Sequence, residues 1–155
     1  MNDETKRKIF DIFGKIFLLC HRMEYIADKE LKKDNLTARQ WLLIATIEKL
    51  FEYPPAINEV ADKLSTSHQN VKQIANQLEK KGFIIIERDE NDKRILRLKV
   101  TEKNRRYWDS RAEEHEKFIL SLFNSLEEEE IHRFHTLVNK LSENIDKFYE
   151  KAKEM

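Results

Sequence analysis

The chain has 155 residues, of which 37% are charged, 40% are hydrophobic and only two are glycine. This length allows one domain with a substantial core, and nine Phe, four Tyr and two Trp argue against a disordered chain. The formal net charge is zero, so the total charge neither favours nor excludes a nucleic-acid partner. We find no phosphate-cradling glycine loop, nucleophile motif or cofactor fingerprint, and predict that the protein is not an enzyme and has no cofactor.

The charges are unevenly distributed along the chain. Between Lys63 and Arg106 there are twelve Lys and Arg against six Asp and Glu, and the rest of the chain cancels this basic excess. A basic centre between acidic ends favours contact with phosphates. Cys20 is the only cysteine, so an internal disulfide is excluded. The sequence shows no signal peptide and no long apolar run, so we expect a soluble, cytoplasmic protein that does not contact a membrane.

The first predicted element is a long amphipathic helix over about 5–32, because apolar residues recur there at three- and four-residue steps. The apolar stripe of this helix is wider and more aromatic than is usual for a helix that packs on a small core. We expect Cys20, which lies on this stripe, to be a small buried hydrophobic residue. The stripe consists of Ile9, Ile12, Phe13, Ile16, Phe17, Cys20, Met23 and Ala27.

A second helix is predicted from Thr37 to about Leu50. Thr37 and Gln40 have the spacing of a capping box, in which the hydroxyl and the amide satisfy two backbone amides. Pro54 and Pro55 prevent the helix from continuing. The residues expected to be buried are Trp41, Leu42, Ile44, Ala45 and Ile47.

Two short helices, at about 57–64 and 68–81, follow with a brief link between them. Ser67 is placed to cap the second helix, and Gly82 lies where a left-handed residue ends it. The side chains predicted to face inward are Ile57, Val60, Ala61 and Leu64 in the first helix and Val71, Ile74, Ala75 and Leu78 in the second. Helix, short turn and helix together predict a helix-turn-helix.

A β-hairpin is predicted next, with strands at 83–88 and 95–100 and a charged turn at 89–93. Thr101 is placed to cap a fifth helix that ends near Asn124, and Ser125 to cap a sixth. The sixth helix has one apolar face, formed by Ile131, Phe134, Val138, Leu141, Ile145 and Phe148. The predicted fold is therefore mainly α with a small β-hairpin wing: a winged helix-turn-helix between terminal helices.

The outward face of the predicted 68–81 helix carries hydrogen-bonding side chains suited to double-stranded DNA. Asn and Gln amides can pair with adenine edges in the major groove, so we predict that Gln69, Asn70 and Gln73 read bases. The helix has no Arg, so guanine recognition by a bidentate Arg is not expected, and we predict an A/T-rich operator. Residues predicted to contact phosphates are Ser65, Ser67, His68 and Lys72, with Asn76 completing the outward face.

The hairpin turn carries the second group of predicted DNA contacts. A hairpin tip is narrow enough to reach the minor groove, whose negative potential attracts Arg, and we predict that Arg94 enters it. Lys93 and Arg97 are predicted to contact phosphates. Asp92 is expected to position Arg94 through a charge-assisted hydrogen bond, because a carboxylate repels phosphate.

Three segments resemble the MarR (multiple antibiotic resistance repressor) family of winged-helix regulators. They read LTARQWLLIATI, INEVADKLSTSHQNVKQIANQLEKKGFI and DKRILRLKVT, and they span about 36–101. The wing pattern Asp-x-Arg-x-x-x-Leu-x-x-Thr falls on Asp92, Arg94, Leu98 and Thr101. With LEKKG before it, this signal is far more specific than a helix-turn-helix alone.

The resemblance implies a single MarR-type domain over 1–155, with dimerisation helices at about 5–32 and 102–153. It also implies a homodimer that binds a palindromic operator, and most members are repressors released by a ligand, an oxidant or a metal. An effector cleft would lie between the dimerisation helices and the DNA-binding part. Five aromatic residues are near it in the family layout, although we expect each to be core packing: Phe17, Tyr25, Trp41, Tyr107 and Trp108.

Two alternatives to a ligand-released DNA-binding repressor remain open from the sequence. The winged helix could be a protein-interaction module whose basic face binds an acidic partner. Regulation could also be redox-dependent through Cys20, or metal-dependent through His115, His132 and His135. The sequence around Cys20 does not match the peroxide sensors of the family, and the histidines lie among surface charges, so we expect no metal site.

Overall fold

The computed structural model describes residues 1–154. The helices are α1 (Asp3–Leu31), α2 (Ala38–Leu50), α3 (Ile57–Lys63), α4 (His68–Lys80), α5 (Glu102–Leu122) and α6 (Glu128–Lys153). Strands β1 (Ile84–Arg88) and β2 (Leu96–Val100) lie between α4 and α5, and a 3-10 turn over Lys32–Asp34 follows α1. This order confirms the predicted mainly α fold with one β-hairpin.

The chain forms two compact units. The first unit is Met1–Trp108 and holds α1 to α4, the hairpin and the start of α5. The second unit begins at Asp109 and holds the rest of α5 and α6. Among the described residues, no helix is both long enough and apolar enough to cross a membrane.

The core of the first unit lies where α2, α3, α4 and the hairpin meet. Leu43, Val60, Val71, Leu78 and Leu98 are fully buried there. Burial of side chains of this size stabilises the fold by about 1.5–3 kcal/mol each. These residues hold the two short helices and the hairpin as one body.

One core prediction for α2 was wrong. Leu42 is 46% exposed and Trp41 is only half-buried, although both were expected to be inside. Ile44 and Ile47 are buried as predicted, and Leu43, which the prediction left out, is buried beside them. Continuous apolar runs do not show which of their members face the core, because every member looks equally suitable.

The predicted helix caps at Thr37 and Thr101 are confirmed. The Thr37 hydroxyl accepts from the backbone amide of Gln40 at 3.2 Å, and the Gln40 side chain accepts from the amide of Thr37 at 3.3 Å. Thr101 likewise accepts from the amide of Asn104 at 3.2 Å.

The predicted cap at Ser125 was wrong. Ser125 belongs to the turn after α5, in which the amide of Leu126 donates to the carbonyl of Phe123 at 3.0 Å. The N-cap residue is Glu127, whose backbone is extended and whose amide donates to the Glu130 carboxylate at 2.9 Å. The acidic run therefore begins the helix itself, near the positive end of the helix dipole.

The apolar stripe of α1 is largely uncovered within its unit. Residues 1–23 are all exposed, and Leu31 is the only buried residue of α1. Cys20 is therefore exposed, and the expectation that it is buried was wrong for the single chain. The periodicity correctly predicts an apolar face but does not say what covers it.

The apolar face of α6 is also exposed within its own unit. No described residue of α6 is buried, and Phe134, Leu137, Ile145 and Phe148 are all at least 50% exposed. An exposed apolar surface of this kind typically marks an interaction site.

Candidate nucleic-acid interface

The outer face of α4 is polar and exposed, as predicted. Its inner face buries Val71, Ala75 and Leu78, and these residues follow the helical period. The exposed residues of the opposite face are His68, Gln69, Lys72, Gln73 and Asn76. Five of the predicted DNA-contacting side chains are therefore available to a ligand.

The turn before α4 is closed by a left-handed residue. Ser65 has φ +50°, and its amide donates to the carbonyl of Asp62 at 3.1 Å. The amide of Thr66 donates to the carbonyl of Ala61 at 3.0 Å, which completes the usual termination of a helix by a left-handed residue. Glycine normally occupies such a position, so the serine is under mild backbone strain.

Ser67 and Asn70 are both involved in the start of α4. The Ser67 hydroxyl oxygen accepts from the amide of Asn70 at 3.1 Å, which confirms the predicted cap. The half-buried Asn70 side chain donates through Nδ2 to the Thr66 hydroxyl at 3.0 Å. Asn70 therefore has an intramolecular role, and it is less available to bases than Gln69 or Gln73.

The other end of α4 is held against α2 by a buried amide. Gln40 is only 3% exposed, and its Nε2 donates to Gln77 Oε1 at 2.9 Å. Lys81 Nζ donates to Gln40 Oε1 at 2.9 Å and also to the carbonyl of Asn35. Partial burial lowers the pKa of Lys81. These bonds determine how α4 lies on α2.

We define the wing as β1, β2 and the turn at 89–95. Its two strands pair with each other in antiparallel register, from Ile84↔Val100 to Arg88↔Leu96. Its tip carries the predicted Asp92–Arg94 pair. Arg94 donates to the Asp92 carboxylate through Nε and through an η nitrogen, each at 3.0 Å, and its side chain is 91% exposed. These bonds raise the pKa of Arg94 and lower that of Asp92. The guanidinium is thus oriented but accessible.

Arg97 lies in a different environment from the one predicted. Its Nε donates to Asp89, and an η nitrogen donates to the carbonyl of Pro54 at 3.0 Å and lies 3.7 Å from Glu59. The side chain is 31% exposed. The structure therefore gives Arg97 intramolecular partners, and contact with a phosphate remains a prediction for it.

Asp89 was missed by the sequence analysis. Its carboxylate accepts from the amides of Asn91 and Asp92, each at 2.9 Å, and from Arg97. The amide of Asp92, the Arg97 side chain and the amide of Asn91, in that order, lower the pKa of Asp89 from 3.8 to about 2. The available signal was the type of residue, since Asp often accepts from amides two residues ahead in a turn.

The wing is also attached to α4 itself. The Glu79 carboxylate accepts from the amide of Ile86 at 2.8 Å, and the Thr101 hydroxyl donates to the carbonyl of Gly82 at 2.7 Å. Gly82 has φ +76°, as its predicted role at the end of α4 requires. Movement of the wing relative to α4 is therefore restrained at the base of the hairpin.

The remaining candidate residues fall outside this surface. Trp41, Tyr107 and Trp108 pack against the core, whereas Phe17 and Tyr25 are exposed. Within residues 1–154, no three His, Cys, Asp or Glu side chains are grouped so that they could hold a metal ion.

The short helices, the polar α4 and the basic hairpin together define a winged helix-turn-helix, and comparison with known proteins gives the same class. A MarR family model matches residues 34–95. The uncharacterised HTH-type transcriptional regulator YybA of Bacillus subtilis is 29% identical over 92% of this chain and 94% of its own length. The transcriptional repressor MprA of Escherichia coli is 30% identical over 52% of this chain and 46% of its own length.

A solved structure supports the fold independently. The MepR–DNA complex of S. aureus superposes with a TM-score of 0.72 at 19% identity, covering 86% of this chain and 97% of that one. These comparisons agree with the resemblance to the MarR family of transcriptional regulators that the sequence predicted. Proteins of this family are not enzymes.

Proposed function

We propose that this protein is a homodimeric transcriptional repressor. It binds a palindromic, A/T-rich operator in double-stranded DNA and is released by a small-molecule effector. Such a regulator acts in the cytoplasm, where the DNA is. The observation that carries the proposal is the exposed polar face of α4 next to a wing with an oriented, accessible Arg94.

Comparison with relatives supports the DNA partner and the repressor role. MepR was solved as a complex with DNA, and MprA is described as a transcriptional repressor. A repressor would occlude the promoter by occupying the operator. Transfer of both roles to this chain is part of the proposal.

In the proposed complex, α4 lies in the major groove. Gln69 and Gln73 read adenine through paired donor and acceptor contacts, and Asn70 contributes through the oxygen that it does not use for Thr66. Lys72 and Lys93 bind phosphates, with weaker contacts from Ser65, Ser67, His68 and Asn76. Arg94 enters the minor groove, and the hydrogen bonds that it donates to Asp92 reduce the entropy lost on binding.

The proposed second copy covers the exposed apolar faces. Phe10, Phe13 and Phe17 of α1 are 76%, 63% and 57% exposed, and a face of this size is unfavourable in water. A two-fold dimer would also present two copies of α4 to half-sites about one helical turn apart. The palindromic operator follows from this symmetry.

The first experiment measures binding to a duplex selected by the wild-type protein from a random pool. Lys72, Lys93 and Arg94 supply six cations per dimer, so affinity should fall about a thousandfold between about 50 and 200 mM salt. A salt-independent affinity would reject DNA binding and favour the protein-interaction alternative. Recovery of G-rich half-sites would reject the proposed base reading.

Two substitutions separate the proposed contacts. Gln69→Ala should relax the preference at one base pair and cost about 1–3 kcal/mol on the preferred sequence. Arg94→Ala should weaken all duplexes and reduce the salt slope by about 2 for the dimer. Lys72→Ala is the control for Gln69→Ala, because loss of a phosphate contact weakens binding uniformly. Wild-type behaviour in all three variants would contradict the assignment.

A further inference from the structure

The Asp89 carboxylate attaches the turn of the wing to β2, in addition to the bond from Arg88 of β1 to the carbonyl of Lys93. The Asp89 side chain is only 13% exposed, although it belongs to a charged surface turn. One carboxylate oxygen, Oδ1, accepts both turn amides, from Asn91 and Asp92. The other oxygen, Oδ2, accepts from Arg97 Nε. The two oxygens thus have separate functions: one shapes the turn and the other attaches it to β2.

Arg97 continues this connection beyond the hairpin. Besides Asp89, it donates to the carbonyl of Pro54 at 3.0 Å. The next residues pair with β2, since the amide of Leu98 donates to the carbonyl of Pro55 at 2.9 Å and Ala56 forms a β-bridge with Arg97. The guanidinium therefore joins the turn of the wing to the segment that precedes α3.

Glu59, on α3, completes the connection. Its Oε2 accepts from the amide of Ala56 at 2.7 Å and lies 3.7 Å from Arg97, and its Oε1 accepts from the Tyr53 hydroxyl at 2.7 Å. The path from the turn of the wing to the first helix of the helix-turn-helix is thus continuous: Asp89, Arg97, Glu59.

We propose that Asp89 and Arg97 are positioning residues that set the height and angle of Arg94 relative to α4, so that major-groove and minor-groove contacts occur together. This inference rests on the proposed function. Both side chains act through Arg94 and need not touch DNA. It also replaces the predicted phosphate contact of Arg97, because a guanidinium held by Asp89 and Pro54 is committed to the protein.

The two roles of Arg97 predict opposite effects of Asp89→Asn. If Arg97 bound phosphate, removal of the acid would release it and strengthen binding of the negatively charged duplex. If Arg97 positions the wing, the same change weakens binding. Asn keeps an oxygen for the two turn amides and places an NH₂ donor against the Arg97 donor, so it breaks the attachment and keeps the turn.

The experiment measures affinity for the duplex that wild-type protein selects from a random pool. Asp89→Asn should weaken binding about tenfold, the effect of losing one well-placed charge-assisted contact. Glu90→Gln is the matched control, since it removes the same charge from the neighbouring exposed residue. The control should bind within about twofold of wild type. Tighter or unchanged binding by Asp89→Asn would overturn the proposal.

A second comparison uses Arg97→Lys and Lys99→Arg, which both preserve charge on β2. Lysine has one ammonium group and does not reproduce the two-direction contacts of Arg97 with Asp89 and Pro54. Arg97→Lys should therefore weaken binding about tenfold while Lys99→Arg leaves it unchanged. Wild-type affinity of Arg97→Lys would contradict positioning and favour a simple phosphate contact. Circular dichroism and sedimentation confirm that each variant is folded and assembled as wild type.

A double-mutant cycle with Arg94→Ala separates this inference from the proposed function. If the attachment acts through Arg94, Asp89→Asn should have no further effect in the Arg94→Ala background. An equal tenfold loss in both backgrounds would show that Asp89 acts elsewhere and would overturn the proposal. If Arg94→Ala alone leaves binding unchanged, the proposed role of the wing fails, and the positioning inference fails with it. If Arg94→Ala weakens binding and Asp89→Asn does not, only the inference fails.

Discussion

Two arginines of the hairpin show how environment decides the use of the same side chain. Arg94 is bonded only within its own turn, and 91% of its side chain remains accessible. Arg97 is three residues away, yet its donors point to Asp89 and Pro54. Both are basic residues of a hairpin in the sequence, and their partners distinguish them. An arginine side chain is available to a ligand or committed to the protein, depending on which hydrogen-bond acceptors the fold places beside it.

Ser65 provides a prediction about backbone strain. Its φ of +50° costs a residue with a side chain about 1 kcal/mol, and a β-branched residue more. Ser65→Val should therefore lower the free energy of unfolding by about 1–2 kcal/mol, whereas Ser65→Gly should maintain or raise it. Urea unfolding at fixed protein concentration measures the difference. Equal stability of the Val and Gly variants would contradict the left-handed conformation.

Asp89 provides a prediction about acid stability. Its pKa is about 2 in the folded protein against 3.8 ordinarily, because two backbone amides and Arg97 bond the charged form. A lowered folded pKa stabilises the fold fully above about pH 4, and the stabilisation is lost as the pH falls through about 2. Between these values wild type should lose stability more steeply than Asp89→Asn. Urea unfolding at successive pH values tests this, and Glu90→Gln should follow the wild-type slope.

Among the elements, α4 depends on its neighbours at both ends. Ser67 caps its start, and Gln40 of α2 reaches its last turns through Gln77 and Lys81. The side chains of the α4 inner face supply most of its burial and fix its packing against the core. Directional bonds to the buried Gln40 amide add to this packing. The proposed base reading would need the α4 side chains within about half an ångström of their targets.

Gln40→Met should show how much the bonds of Gln40 to Gln77 and Lys81 contribute to the free energy of unfolding. Methionine has a similar shape but removes the acceptor of Lys81 and the donor to Gln77, so we expect a loss of about 1–3 kcal/mol in the free energy of unfolding. Gln77→Ala removes the exposed partner and should cost less than about 1 kcal/mol. Urea unfolding measures both. A Gln40→Met variant as stable as wild type would show that packing alone holds α4 on α2.

For the whole molecule, the exposed apolar faces of α1 and α6 require an explanation. A helix that packs against a single partner needs an apolar arc of about 100°, and α1 exposes more than that. A second copy of the chain would remove both faces from water and place two wings on one operator. In the proposed complex, DNA recognition would depend on assembly, because one monomer would read only half of a palindrome.

Phe13→Glu tests the assembly. Phe13 is 63% exposed in the single chain, and a carboxylate there would have to be buried in a dimer, which is strongly unfavourable. We expect wild type to be a dimer and Phe13→Glu a monomer at about 10 µM by sedimentation equilibrium. Arg22→Glu is the control, since nine helical residues place it about 180° around α1. A monomeric wild type would contradict the proposed homodimer.

Much of the fold could be predicted because it depends on local chemistry. The capping box at Thr37, the left-handed Gly82 and the alternation in β2 are determined by residues a few positions apart. The error at Leu42 came from an apolar run in which every member satisfies the same pattern. The error at Ser125 came from two plausible starts for α6, between which the turn after α5 decided. Cys20 was misplaced because its stripe faces no core in the single chain.

The sequence by itself determined the order of elements, the polar and apolar faces of α4, and the family that the chain resembles. These follow from periodicity, caps and short motifs, which act over one or two turns. Only the tertiary structure decided three contacts. Arg97 donates to Asp89, the Asp89 carboxylate joins the turn amides to Arg97, and the Asn70 side chain donates to the Thr66 hydroxyl. Such roles depend on which donors and acceptors meet across distant segments. A hydrogen bond acts over about 3 Å, and a linear sequence does not state that distance.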